Sequence, residues 1–466
     1  MRIGKYKIVG RLGRGGMAVV YKAEQPLTGR ILALKLCHPA EIMLDVAGPE
    51  RIREMFLTEA RAMGRVRHPN IASVLDAGEH PVPGAGSMPF FTMEYFCNNL
   101  GTIMGEEYEA QQRTRLFAVP RALHYARQML EALRRLHYDG IFHRDVKPFN
   151  VMITEQDRAV LIDFGLSRLR GETSAAHPRG MVVGSPFYAA PEQEADPQSA
   201  DARSDIYSVG VTLYRMLTGQ LPETVPLPAA QAASHLRPEL TRSWDKVFSR
   251  FLAPRPRDRF ASARDALTAL DGLEHSWERS RTEACLFHDP DQGRTLEQTA
   301  PPRSRPYTGP DRVPLRRGPE VFGLDALWRP QRPVRNDFRE QRTLHGHGTV
   351  ADRATGLLWQ AQGSEFPLDY EQALEYAAQL RAEGFADRHG WRLPTVDELC
   401  TLFLDRAEPG AFCLEPVFDP DRARLWSADH CTHTTAWYVD ADMGFVARQD
   451  RTCAFYVRAV CAINGA

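Results

Sequence analysis

No stretch of this 466-residue chain stays apolar and uncharged for the length that a bilayer crossing requires. Residues 1–16 carry Arg and Lys but lack the apolar core of a secretory leader. Charge of one sign is missing too. With 58 Lys and Arg against 59 Asp and Glu, the formal net charge is -1, and no global field draws the chain to nucleic acid or to anionic membrane. Cysteine is sparse: eight residues and no Cys-x-x-Cys pair, which argues against zinc even beside the dense His430, Cys431, His433 patch. No internal repeat is present. These absences make the cytoplasm the expected compartment and free, structural thiols the expected state of the cysteines.

What is present is ordinary globular composition, 43% hydrophobic and 25% charged, on a chain too long for one hydrophobic core. Two domains are therefore expected, joined by a linker. Short β-branched or apolar runs at 6–12, 18–24 and 31–37, separated by Gly or Pro turns, read as strands. Leu123, Ala126, Met129, Leu130, Leu133 and Leu136 recur at helical spacing within 121–137, and a second apolar helix is expected over 205–218, ending at Gly219. From 274 to 338 the chain is crowded with Pro, Arg and Asp, as in Pro301-Pro302-Arg303-Ser304-Arg305-Pro306, and reads as an extended, disordered tether. Thr282, Thr295, Thr299, Ser304 and Thr308 in that stretch are candidate autophosphorylation sites. Beyond it, Asp369 with Gln372 and Thr395 with Glu398 read as capping boxes, and 425–462 alternates aromatic and polar residues as strands do.

The chemistry concentrates in His143-Arg144-Asp145-Val146-Lys147-Pro148-Phe149-Asn150. Asp145 can accept the proton of an attacking hydroxyl, Lys147 can hold a transferred phosphate, and Asn150 can bind magnesium. Upstream, Gly13-Arg14-Gly15-Gly16-Met17-Ala18 would let backbone N–H groups approach phosphate oxygens, and Val20 follows it. Ala33-Leu34-Lys35 sits on the third strand, and Glu59 is the candidate carboxylate to hold Lys35. Leu161-Ile162-Asp163-Phe164-Gly165 supplies a second metal ligand in Asp163.

In this order the motifs resemble the bacterial Hanks-type serine/threonine protein kinases over residues 6–273. Ala18 stands where that loop usually has a third glycine. The resemblance implies an α+β bilobal fold in residues 1–273, with a β-rich N-lobe to about 96 and a helical C-lobe from 97. It implies ATP and Mg, with Mn as a substitute, bound by the glycine loop, Val20, Ala33, Lys35, Asn150, Met152 and Asp163. Met93 would be the gatekeeper, and Glu94, Tyr95 and Phe96 the hinge whose backbone meets adenine. Asp145, Lys147, Lys35 and Glu59 would carry catalysis, Asn150 and Asp163 the metal. Ser185 would touch Asp145 and Lys147, and Asp205 would anchor the catalytic loop. Glu192 would pair with Arg259, and Arg144 would answer a phosphate on Thr173 or Ser174. The implied partner is a protein bearing Ser or Thr. The alternative reading is a nucleotide-binding pseudokinase scaffold, which usually lacks one of these residues; none is lacking here.

Residues 339–466 carry Trp391-Arg392-Leu393-Pro394-Thr395-Val396-Asp397-Glu398-Leu399, Leu425-Trp426-Ser427 and Ala436-Trp437-Tyr438-Val439. These resemble the C-terminal domain of collagen-like adhesins, whose members look like C-type lectins. The resemblance implies a compact α+β interaction domain with its Trp, Leu and Pro signature in the core. The calcium-lectin patterns are absent, since Glu415-Pro416 is followed by Val417.

Overall fold

The computed structural model describes residues 1–82, 86–106, 112–163, 186–195, 200–286, 309–331, 338–342, 348–403, 414, 417–419 and 422–463. Phe164, Gly165, Thr173, Ser174, Ser185, Thr295, Thr299, Ser304, Thr308, Cys413 and the pair Glu415-Pro416 lie outside them, as does the side chain of Thr282. The chain divides into two units, residues 1–114 with 119–288 and residues 115–118 with 289–466.

The first unit opens with β1 (Arg2–Ile3), β2 (Tyr6–Arg14), β3 (Ala18–Glu24) and β4 (Ile31–Cys37). Helices α1 (Glu41–Ala47) and α2 (Pro49–Arg65) follow, then β5 (Val74–Val82) and β6 (Gly86–Glu94). The six strands make one antiparallel sheet in the order β1-β2-β3-β4-β6-β5. Its register pairs Val20 with Lys35, Ala33 with Met93, and Lys35 with Phe91. Directly opposed residues share a face of a sheet, so these five side chains belong to one face. Phe91 meets Phe56 of α2 at 5.2 Å between ring centroids, which sets α2 against that same face. Ile52, Phe56, Glu59 and Met63 form the buried stripe of α2. A carboxylate on an apolar stripe needs a cation, and Lys35 is on the facing strand.

The helical lobe contains β7 (Asn98–Asn99), α3 (Leu100–Met104), α4 (Val119–Tyr138), β8 (Val151–Ile153) and β9 (Ala159–Leu161). It continues through α5 (Pro191–Ala195), α6 (Ala202–Thr218), α7 (Ala233–Leu236), α8 (Arg242–Phe251) and α9 (Ala263–Leu286). Helix α6 is buried on every side from Ser204 to Thr218, which makes it the axis of the lobe. It starts earlier than its apolar run because Asp201 and Ser204 form a capping box, and it ends at Gly219 in the left-handed region at φ 72°. Strands β7, β8 and β9 form a small antiparallel ribbon, and the loop 143–150 leads directly into β8.

The second unit contains α10 (Gly318–Val321), β10 (Phe338–Arg342), β11 (Gly348–Asp352), β12 (Leu357–Gln360), α11 (Tyr370–Glu383) and α12 (Val396–Cys400). Strands β13 (Arg424–His430), β14 (Thr435–Asp440), β15 (Phe445–Asp450) and β16 (Val460–Ala462) complete it. The strands form two antiparallel sheets, β10-β11-β12-β16 and β13-β14-β15. Both expected capping boxes are present, at α11 and α12. Trp391, Leu393, Val396 and Leu399 of the signature are buried, and the Arg392 guanidinium grips Glu398 through both nitrogens at 2.8 and 2.6 Å.

Two expectations require correction. Much of the stretch read as a tether is folded. Helix α9 runs on to Leu286, and Glu274 at the expected boundary accepts from Arg127 at 2.6 Å. Residues 309–331 build the core of the second unit through Val313, Phe322 and Leu324, so that unit does not begin near 339. Trp328 stacks on Trp437 at 5.8 Å, and the Trp437 indole donates to the Val313 carbonyl at 3.0 Å. The apolar residues there are few and set among turns, so they leave no period in the sequence. The second correction is chemical: Cys97 and Cys453 are each disulfide-bonded, whereas Cys37, Cys400, Cys431 and Cys461 are free. Sequence spacing says nothing about which sulfurs a fold brings together.

Two outcomes follow from this packing. A fragment starting at 339 is expected to unfold at a markedly lower temperature than one starting at 309, because it uncovers Trp437; circular dichroism melts of the two check this. Asp429 is buried and accepts from the backbone N–H groups of Asp311 at 2.8 Å and Val396 at 2.7 Å. Burial raises its carboxyl to about 6, from an ordinary value of 3.8. A raised carboxyl contributes stability at low pH that is lost as pH rises from near 4 through 6. The second unit is thus expected to lose roughly 2–3 kcal/mol over that window, a slope that Asp429→Asn flattens in denaturation followed by tryptophan fluorescence.

Candidate active site

Lys35 reaches out of β4 with its Nζ 2.7 Å from Glu59 Oε1 and 2.7 Å from Asp163 Oδ1. Glu59 is buried, at 1% side-chain exposure, while Asp163 keeps 35%. Burial pulls the Lys35 ammonium toward neutrality, but Asp163 and Glu59 outweigh it and hold its pKa above the ordinary lysine value. Burial likewise pushes Asp163 up, and Lys35 overrides it, leaving that carboxyl below its usual range. Glu59, more deeply buried and close to Asp163, is raised by burial despite Lys35. Lys35 on its strand and Asp163 at the end of β9 thus hold each other charged, while burial draws Glu59 of α2 toward its neutral form.

The loop between α4 and β8 forms a second hydrogen-bonded group. Lys147 Nζ donates to Asp145 Oδ2 at 2.9 Å. The Asn150 amide donates to the same oxygen at 2.9 Å and to the Asp145 carbonyl at 2.8 Å. That turns the Asn150 carbonyl oxygen away from Asp145. His143 is buried; its Nε2 meets the Ile162 carbonyl at 3.1 Å and its Nδ1 accepts from the Asp145 N–H at 3.3 Å. Burial lowers the His143 pKa, consistent with a neutral ring that donates from one nitrogen and accepts at the other.

This loop is held from beneath. Asp205, at the start of α6, accepts from the N–H of His143 at 2.9 Å and of Arg144 at 2.7 Å. His137 Nε2 lies 2.8 Å from the same carboxylate. Arg144 and Asp163 both adopt positive φ, 64° and 55°, a conformation that costs an L-residue on the order of 1 kcal/mol and persists where neighbours impose it. Glu192 and Arg259 form a two-pronged pair at 2.6 and 2.7 Å, with Ser204 Oγ donating to Glu192 at 2.6 Å. Arg259 has no exposed side-chain surface, so its other N–H groups find the carbonyls of Ala253, Arg203 and Pro254.

Val20, Ala33, Lys35 and Met93 share one sheet face, and Met152 sits on β8 opposite Asn99. Glu94 opposes Leu32 and is exposed, so of the hinge residues it offers backbone rather than side chain to that face. Phe96 follows β6, half-buried. Arg14, Gly15 and Gly16 are exposed at the hairpin tip, and Met17 packs beneath it. The tip is pinned by His38 and Ala40, whose N–H groups donate to the Met17 and Gly16 carbonyls at 3.0 and 2.8 Å.

Do these residues fit a nucleotide and a divalent cation? A Cβ at Gly13 would meet nothing within 4 Å, and one at Gly15 only the Ala18 carbonyl at 3.9 Å; neither φ is positive. Nothing in the chain itself requires glycine at these points, so the open space suits a phosphate brought close to the backbone. Among the described residues no cluster of three or more His, Cys, Asp or Glu could hold a metal alone. Asp163 and the Asn150 carbonyl are hard oxygen donors of the kind magnesium takes one or two of, alongside phosphate oxygens. The donor set fits.

The protein kinase domain model matches residues 6–270, more than half of the chain. The chain belongs to the protein kinase family. A second model, the Lcl C-terminal domain, matches residues 348–461. The kinase is similar to serine/threonine-protein kinase PksC of Streptomyces coelicolor, 35% identical over 274 residues, 56% of this chain and 47% of that one. It is 30% identical over 299 residues to the probable serine/threonine-protein kinase CA_C1728 of Clostridium acetobutylicum, 62% of this chain and 43% of that one. The matched stretch spans less than half the length of either relative. Among solved structures, the PknI kinase domain of Mycobacterium tuberculosis is 28% identical, with 59% of this chain and 98% of that one covered and a TM-score of 0.43.

Sequence reading of this kinase missed His137 and Gln193. His137 was hidden as one more residue of an amphipathic helix. Gln193 donates to the Arg144 carbonyl at 3.0 Å, and only its place beside Glu192 marked it. Removal of Arg259 strands a mostly buried carboxylate. Arg259→Met is expected to destabilise the kinase unit by about 3 kcal/mol, the low end for a broken buried pair because Glu192 retains some exposure, as read by hydrogen exchange of the α6 amides.

Proposed function

We propose that this chain is an ATP- and Mg-dependent serine/threonine protein kinase that transfers the terminal phosphoryl group of ATP to a Ser or Thr hydroxyl of a protein. The observation that carries the reading is the bridging of Glu59 and Asp163 by Lys35, at 2.7 Å to each, beside the bonded trio Asp145, Lys147 and Asn150. Bound magnesium would neutralise phosphate charge and orient the leaving group, held by Asp163 and the Asn150 carbonyl. Lys35 would hold the α- and β-phosphates, kept charged and aimed by Glu59. The glycine loop, 13–18, would cover the phosphates through its backbone, and Val20, Ala33, Met93 and Met152 would enclose the adenine against the backbone of 94–96. Asp145 would orient the acceptor hydroxyl and take its proton, while Lys147 would steady the phosphoryl group in transfer. No carboxylate or amine in this set is missing, which favours catalysis over a nucleotide-binding scaffold. Dependence on ATP argues for the cytoplasm, and among the described residues no helix is long and apolar enough to cross a membrane.

The C-terminal unit we assign as an interaction module of the lectin-like α+β type. Support comes from its similarity to the Lcl C-terminal domain and from the burial of its signature residues, which leaves recognition to loops. Its ligand would set which protein is phosphorylated.

Asp145→Asn is expected to lower autophosphorylation by roughly 10²–10⁴-fold, and Lys35→Met to abolish it, with both variants still folded. Incorporation of radiolabel from ATP in the presence of magnesium measures this. Wild-type rates in both variants would defeat the assignment, and an inert wild-type chain that still binds nucleotide would favour the scaffold.

A further inference from the structure

The peptide joining Arg144 to Asp145 decides where the Asp145 carboxylate points, and it is gripped at both of its polar atoms. Its N–H donates to His143 Nδ1 at 3.3 Å, and its carbonyl, that of Arg144, accepts from Gln193 Nε2 at 3.0 Å. Arg144 itself holds a positive φ of 64°, with its own N–H bound to Asp205 at 2.7 Å. Fixing one side of a strained residue leaves ψ free to relax; fixing its carbonyl as well removes that freedom. Gln193 is suited to do so. It is 7% exposed, and its Oε1 accepts from the Ala190 N–H at 3.2 Å, so the amide cannot flip without setting N–H against N–H and oxygen against oxygen. Its own N–H donates to the Ala190 carbonyl at 2.9 Å, which closes a tight turn around Ala190.

We infer that Gln193 is a positioning residue for Asp145, locking the 144–145 peptide and so tying the geometry of the proposed base to the start of α5. The inference rests on the kinase reading above. It assigns to α5 a role that its neighbour Glu192 does not have, since the Glu192 carboxylate is directed to Arg259 and Ser204.

The test uses the full chain with Gln193→Met and Gln193→Glu, reading autophosphorylation at saturating ATP, the ATP concentration for half-maximal rate, and the melting temperature. Methionine keeps the length and loses both hydrogen bonds. Glutamate keeps the acceptor for Ala190 and loses the donor to Arg144. Both are expected to lower the saturating rate by about 10- to 100-fold while leaving half-maximal ATP within about twofold, since the nucleotide contacts are elsewhere. A saturating rate equal to wild type in either folded variant overturns the inference. So does a loss that raises half-maximal ATP in proportion, which would mark a general loosening of the lobe. If Gln193→Met fails to fold, Gln193→Glu alone decides. A wild-type chain that transfers no phosphate sinks the kinase reading, and this inference with it; an active wild type beside active variants sinks only this one.

Discussion

Lys35 sits between two carboxylates drawn from opposite lobes, with its Nζ 2.7 Å from Glu59 and 2.7 Å from Asp163. At an effective dielectric near 20, each contact is worth about 6 kcal/mol of gross attraction, while taking an ammonium out of water costs several kcal/mol. One carboxylate would leave that balance close. Two settle it, and Lys35 remains a cation in a site where burial alone would neutralise it. The same contacts fix α2 to the sheet and the end of β9 to β4. Remove the ammonium and Glu59 becomes an unpaired charge on an otherwise apolar stripe.

The lower lobe solves a different problem, holding strained backbone in place. Positive φ at Arg144 and Asp163 is unfavourable locally and is maintained by side chains that arrive from far along the sequence. Asp205 supplies one clamp and His143 another, while the buried Glu192–Arg259 pair secures the segment from which Gln193 reaches back. Such pairs add little net stability, because desolvation offsets their attraction. Their effect is to make alternative arrangements expensive, which suits a site that must present a carboxylate in one direction.

The legible parts of this fold share a physical character. Strands at 18–24 and 31–37, the stripe of α4, and the caps at Asp369 and Thr395 all depend on residues within a few positions of one another. The metal and base candidates were legible for another reason: phosphoryl transfer demands specific donor types in a set order, and that order survives in the linear chain. The pairing of Glu192 with Arg259 was legible only through resemblance. Misread parts depended on long-range packing. Phe322 and Trp328 look like stray aromatics in a Pro- and Arg-rich stretch until Trp437, more than a hundred residues on, lies against them.

By itself, then, the amino-acid order determined the local elements, the chemical inventory of the site and the presence of two units, because each is written in short-range pattern or composition. Tertiary structure alone decided that Lys35 serves two carboxylates at once, that Gln193 meets the Arg144 carbonyl, and that residues 309–331 belong to a core. It decided as well which cysteines are bonded. These are meetings of groups distant along the chain, and distance along the chain carries no record of closeness in space.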